Sequence, residues 1–301
     1  MVASVLAIGA ARGTWWALGA YLLLSTPALA GAHRPPWWPA LLAAHLLGAT
    51  ALLVAPLRDT IARAGARGWP AGWSVARAWV PVAAVPLVYE EVPWLGRALY
   101  GETYFDDRVI GWERSLFGSI PGQTWAEHVP VRAVSEVLHA AYLSYFLLIA
   151  GPPLALYLTR RRRAFETAVF LFVLVVMPLS LAFVYFPVQG PRYLFAAPTA
   201  GGIDTGPLYR LTHRVLEAGS SRGAAFPSGH VAIATVQASV CARFLPRLFP
   251  AVAVVAALLA VATVYGGFHY LLDALSGLAL GLLVATLGPR ALRRQAGGVM
   301  P

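Results

Sequence analysis

The chain has 301 residues, 58% of them hydrophobic and only 12% charged, with a formal net charge of +10. Soluble globular domains are about a quarter charged, so this composition, with its recurring apolar runs of ~20 residues, excludes an ordinary soluble fold and points to a membrane protein. All 23 basic residues are arginines set between apolar stretches, which favours membrane topology over nucleic-acid binding, and the lone Cys241 excludes an intrachain disulfide or a multi-cysteine metal site.

Taken in chain order, eight apolar stretches emerge, at 13–31, 37–57, 71–90, 133–158, 165–187, 227–243, 249–268 and 271–289. Each has about the length that crosses ~30 Å of hydrocarbon as a helix rising 1.5 Å per residue. The expected fold is therefore all-α: a polytopic integral membrane helical bundle of about eight transmembrane helices. Residues 1–132 form N-terminal membrane helices plus an interfacial loop, and 133–301 form a catalytic core.

A cytoplasmic N-terminus puts 14 of the 23 arginines on the inside, including Arg58, Arg63, Arg67, Arg77, the run Arg160 to Arg163, Arg293 and Arg294. Short arginine-dense segments weigh most in setting orientation. Both termini then lie in the cytoplasm of a bacterial plasma membrane, and the long loops 91–132 and 188–226 face the extracytoplasmic side. Residues 1–30, with "ALA" at 28–30, also suit a signal peptide, but an uncleaved first span is the preferred reading. Loop 91–132 contains "DDRVIGWERSLFGSIPG", which fits a helix lying in the membrane interface or an ordinary solvated face.

Ionisable groups in apolar spans are costly, which makes each a candidate functional residue. Three groups fall at outer span ends. In "FPVQGPRY", Arg192 follows two prolines and a glycine, on a rigid exit where a guanidinium can grip a phosphate or snorkel to lipid headgroups. In "AAFPSGHVAIATVQASV", Pro227 suits the first helical position, and Ser228 and Gly229 leave first-turn N–H groups open to an oxyanion. His230 lies in the same turn, placed to give or take a proton; the alternative is a simple helix cap. In "GGFHYLLDALSG", His269 and Asp273 are four residues apart and share a face if helical. The carboxylate would then hold one imidazole nitrogen protonated and leave the other as base or nucleophile, or the pair would join two helices. Together these residues suit phosphoester chemistry at the outer membrane surface. Glu136, His139 and Tyr142, spaced along one face of the fourth span, are substrate-pocket candidates, as is Tyr193; Glu90 and Glu91 lie at the same level, and His45 reads as structural.

These motifs resemble the type 2 phosphatidic acid phosphatase superfamily, whose pattern is K-x6-RP, PSGH and SR-x5-H-x3-D on a helical bundle. Here "PSGH" at 227–230 is complete, "HYLLD" at 269–273 supplies H-x3-D, and Arg192 matches the first motif's arginine. The pattern's lysine falls on Tyr185, the residue after Arg192 is Tyr193 instead of proline, and the SR pair falls on Ala262 and Thr263. Loss of two cations is similar to the branch containing inositol phosphorylceramide and sphingomyelin synthases, and "DRVIGWERSLFGSIP" resembles that branch's upstream loop. The resemblance implies a phosphohistidine mechanism without metal or other cofactor. His269 attacks phosphorus, Asp273 orients it, and His230 protonates the departing oxygen. Arg192, Ser228 and Gly229 hold the phosphoryl oxygens. The expected partners are a lipid phosphate, the bilayer and an alcohol or polyol acceptor, with no nucleic acid. A lipid transporter relaying protons through the His–Asp pair and a non-catalytic lipid-binding protein are the competing classes.

Overall fold

The computed structural model describes residues 2–62 and 73–297, with side chains described for 9–54 and 78–292. The described residues form an all-α structure. Its α-helices are α1 (Val2–Ser25), α2 (Trp38–Ala62), α3 (Trp73–Tyr100), α4 (Asp106–Phe117), α5 (Pro121–His128) and α6 (Arg132–Leu143). They continue with α7 (Tyr145–Leu158), α8 (Arg162–Tyr185), α9 (Pro207–Gly219), α10 (Gly229–Phe244), α11 (Phe249–Tyr265) and α12 (Leu271–Gly297).

The expectation of eight crossings is met in part. Among the described residues, Arg162–Tyr185 and Leu271–Leu292 are single helices long and apolar enough to span a bilayer, and the pair α6–α7, bent by 42°, makes up to a third. The 133–158 stretch is thus a broken helix, capped at Ser144. The 227–243 and 249–268 stretches become helices of 16 and 17 residues. At 1.5 Å per residue these reach about 24–26 Å, short of the ~30 Å hydrocarbon core. The start of the 71–90 stretch, with Arg63 and Arg67, lies outside the described residues, as do the side chains of Arg58, Arg77, Arg293 and Arg294.

The chain clusters into two compact units, Met1–Gly101 with Pro153–Tyr185 and Leu283–Pro301, and Glu102–Pro152 with Phe186–Leu282. These interleave along the chain. In the first unit α1 packs on α2 and α8, and α3 on α8. His45 there contacts Glu91, which also accepts from the Tyr21 hydroxyl at 3.4 Å, so this carboxylate is satisfied from two helices.

In the second unit α10 packs on α11, and α11 on α5 and α6. Apolar clusters fix these contacts: Leu148, Val231, Ala234, Leu259, Val264 and Ala274 form one, and Ala126, Leu138, Tyr142, Ala262 and Tyr265 another. The first turns of α12 meet α10 through glycine. A Cβ on Gly277 would stand 2.3 Å from the Ser228 carbonyl oxygen, and one on Gly281 2.7 Å from that of Ala232. Small residues one turn apart let the two backbones touch, the standard device of helix packing in lipid.

Candidate active site

The second unit contains all ten residues singled out from the sequence as site candidates. Ser228 is the N-cap of α10, its hydroxyl accepting the Val231 N–H at 3.4 Å. Pro227 therefore precedes the cap and does not occupy the first helical position; Gly229 and His230 do. The Ser228 N–H is not open to a ligand, since it donates to the Asp273 carbonyl at 2.9 Å. The N–H groups of Gly229 and His230, at the first helical positions, have no intrahelical acceptor, as is usual for a helix start.

His269 and Asp273 do not share a helix. His269 lies in the turn between α11 and α12, its N–H donating to the Thr263 carbonyl at 2.9 Å alongside that of Phe268 at 3.0 Å. Gly267, with φ +67°, makes that turn possible. Asp273 sits in the first turn of α12, where Oδ2 accepts the Tyr270 N–H at 2.9 Å and lies 3.4 Å from His269 Nδ1. The nearer partner of His269 Nδ1 is the Ala225 carbonyl at 3.0 Å. That carbonyl is held in place by a short parallel pairing of Val188 with Ala224, in which the Ala225 N–H donates to Val188 at 2.9 Å. Two acceptors thus fix a proton on Nδ1 and leave Nε2 with its lone pair.

His269 Nε2 faces His230 Nδ1 at 3.2 Å, the rings meeting edge to face with centroids 5.4 Å apart. With Nε2 bare, His230 Nδ1 is the donor of this bond. Tyr142 and Tyr145 flank the His230 ring, at centroid distances of 4.7 and 4.3 Å. Tyr142 also contacts Phe268, at 4.5 Å.

Arg192 lies in a 3₁₀ turn at Pro191–Tyr193. Its Nη1 is buried and unpartnered, and its guanidinium lies 4.8 Å from the Tyr193 ring centroid. The Tyr193 hydroxyl shares a 2.8 Å bond with Ser220, so the tyrosine is anchored as a platform for that guanidinium. Gly190, with φ +93°, leads into the turn pressed against the Phe268 carbonyl, which a Cβ there would approach to 2.8 Å. The Arg192 turn consequently runs beside the turn that carries His269.

Glu136 is fully engaged elsewhere. Its two oxygens accept the N–H groups of Leu208 and Tyr209, both at 3.0 Å, and cap the start of α9. His139 donates from Nδ1 to the Ser135 carbonyl at 2.7 Å, and its Nε2 is buried without a partner. At the departures from the family pattern, the Tyr185 hydroxyl bonds the Leu24 carbonyl, Ala262 joins an apolar cluster, and the Thr263 hydroxyl donates to the Ala260 carbonyl at 2.7 Å.

Four residues escaped the sequence reading. Asp106 and Glu113, a spacing of seven on α4, are buried and not solvated. Asp106 accepts the N–H groups of Gln189 and Gly190 and the hydroxyl of Tyr270, at 2.9, 3.0 and 3.1 Å. Glu113 accepts the Leu272 N–H at 2.8 Å. Arg222 brings a second guanidinium to within 4.8 Å of the Tyr193 ring centroid. His213 on α9 has a buried, unpartnered Nε2; burial, then the neighbouring His139 and Arg192, push its imidazole down to about 4. The pattern Tyr209, Thr212, His213, Leu216 was the available signal, one face of an amphipathic helix within a loop treated as irregular.

One family model, that of the PAP2 superfamily, matches residues 107–287, more than half of the chain. The match begins at the start of α4, ahead of the boundary drawn after residue 132. No curated protein and no solved structure matches.

Proposed function

Because the chain belongs to the PAP2 superfamily and is thereby a phosphatase-type enzyme acting on phosphoesters, we propose that it cleaves a lipid-linked phosphoester at the extracytoplasmic face of the membrane through a phosphohistidine intermediate. The observation that carries this reading is the 3.2 Å approach of His230 Nδ1 to His269 Nε2, with His269 Nδ1 turned to Ala225 and Asp273. His269 Nε2 attacks phosphorus as the bond to the leaving oxygen breaks, and that oxygen takes a proton from His230 in its imidazolium form, which is left neutral. Water or an alcohol then gives a proton back to His230 and attacks phosphorus, releasing His269. Arg192 and the N–H groups of Gly229 and His230 hold the phosphoryl oxygens as charge shifts onto them. Ser228 acts through the turn it caps.

The finer reading is transfer of a phospho-head group to a hydroxyl, as in the synthases this chain resembles. Tyr185, Ala262 and Thr263 replace the cations and hydroxyl of the phosphatase pattern, and Arg222, which shares the Tyr193 ring with Arg192, supplies a replacement cation. Simple hydrolysis of a lipid phosphate or polyprenyl pyrophosphate is the alternative outcome. Purified protein incubated with a panel of lipid phosphates, with and without an added alcohol, separates the two. Phosphate release alone marks a phosphatase, and a new lipid that needs the alcohol marks a transferase. His269→Ala is expected to abolish both; near-native turnover in that variant removes His269 from the chemistry.

A further inference from the structure

Outside the His230–His269 pair, the most chemically loaded region is a second pair of imidazoles one aromatic layer away. His139 on α6 and His213 on α9 have ring centroids 6.0 Å apart, and both meet Phe268, at 5.8 and 5.7 Å. Tyr209 stacks on His213 at 4.1 Å and flanks His139 at 4.9 Å. Both Nε2 atoms are buried and take no hydrogen bond, although His139 is itself only 2% exposed. Buried polar atoms are costly to leave unpaired, so two nitrogens facing one region make it suited to a polar group.

The chemistry of that ligand follows from the nitrogens. His139 Nδ1–H is committed to the Ser135 carbonyl, so its Nε2 is an acceptor. His213, pushed down to about 4, is neutral near pH 7 and offers an acceptor or a donor according to its tautomer. Arg192, whose charge acts on His213 and whose Nη1 is also unpaired, disfavours a cation here and welcomes a phosphate oxygen. Among the described residues no third His, Cys, Asp or Glu joins the pair to make a metal site.

We propose that His139 and His213 form a subsite for a neutral, hydroxyl-bearing group attached to the phosphate that Arg192 holds, and that they exclude ammonium-bearing groups. This rests on the phosphoester reading above for the placement of phosphate, and it specifies the class of head group.

The test is binding to the purified full chain in detergent micelles, which needs no turnover. Glycerol 1-phosphate, phosphoethanolamine and inorganic phosphate are titrated separately. Glycerol 1-phosphate is expected to bind at least about tenfold tighter than inorganic phosphate, and phosphoethanolamine no tighter than inorganic phosphate. His213→Phe is expected to bring glycerol 1-phosphate down to the inorganic phosphate level, while His213→Gln, which keeps a polar group there, restores part of the difference. Equal affinities for the three ligands in the wild type overturn the proposal. So does a His213→Phe variant that loses inorganic phosphate as well, because the residue then serves the phosphate site or the fold. Failure of the catalytic reading shows separately, as turnover that survives His269→Ala.

Discussion

The carboxylate of Asp106 and the hydroxyl of Tyr270 lie 3.1 Å apart, a bond that ties α4 to the residue following His269. The same carboxylate holds the N–H groups of Gln189 and Gly190, at the entrance to the Arg192 turn. One buried anion therefore sets two of the segments that supply the candidate site.

Removing that anion is expected to cost stability and activity together. Asp106→Ala leaves three donors unpaired, and hydrogen bonds to a charged group contribute about 1.5–3 kcal/mol each. A large fall in unfolding temperature is expected, with at least about a tenfold loss of phosphate release as Arg192 and His269 lose register. Asp106→Asn keeps one acceptor oxygen and should fall between. Thermal unfolding in detergent beside a phosphate-release assay reads both, and an Asp106→Ala variant that unfolds at the wild-type temperature refutes the role.

Asp273 is a gentler case. In a serine-protease triad, exchanging the orienting carboxylate for an amide costs about 10⁴ in kcat, because the imidazole takes the wrong tautomer. Here the Ala225 carbonyl holds His269 Nδ1 at 3.0 Å, nearer than Asp273 Oδ2 at 3.4 Å, and the tautomer survives without the charge. Asp273→Asn is therefore expected to lower kcat by about 10–100-fold, which is the loss of charge balance alone. A drop near 10⁴ would show that Ala225 does not fix the ring.

The glycine contact between α10 and α12 yields a graded pair. Gly277→Ala drives a methyl to 2.3 Å from the carbonyl oxygen of the capping residue Ser228, and Gly281→Ala to 2.7 Å from that of Ala232, a turn deeper. Overpacking of this kind costs about 1–3 kcal/mol. Both variants should be destabilised, but only Gly277→Ala should also lower kcat strongly, since the displaced backbone is the turn that bears His230. Equal kcat losses in the two variants would place the strain elsewhere.

Much of this site was legible because its chemistry is local in sequence. "PSGH" and "HYLLD" are short segments whose polar residues stand out against apolar runs, and the structure brings His230 and His269 into direct contact. What could not be read was how the segments meet. The Ala225 carbonyl is a backbone group with no side-chain signature, and it displaced Asp273 as the nearer partner of His269. Asp106 and Glu113 looked like interfacial charges because the long-range N–H groups that satisfy them lie more than 80 residues away in the chain. Glu136 looked like a pocket residue for the same reason, until α9 formed and placed its N-terminus on the carboxylate. Helix boundaries were hard to read for a different reason: hydropathy marks apolar stretches but not where a helix bends, as α6–α7 does at Ser144, or stops after 16 residues, as α10 does.

Glu113 supplies the pH-dependent prediction. It is buried on α4, and burial, reinforced by the nearby Asp273 charge and opposed by the Leu272 N–H, pushes its carboxyl up from 4.5 to about 7. A folded-state value above the unfolded one means that the native state holds this proton more tightly than the unfolded chain does. Its contribution to stability is thus fully present below about pH 4.5 and is lost as pH rises through about 7. Glu113→Gln retains an acceptor for Leu272 but has no proton to lose. Unfolding temperatures of wild type and Glu113→Gln, measured from about pH 4 to about pH 8, should diverge as pH rises, with the wild type losing stability relative to the variant. Parallel curves across that range would mean that Glu113 binds its proton equally well in the native and unfolded states and that the burial around Leu272 does not govern it.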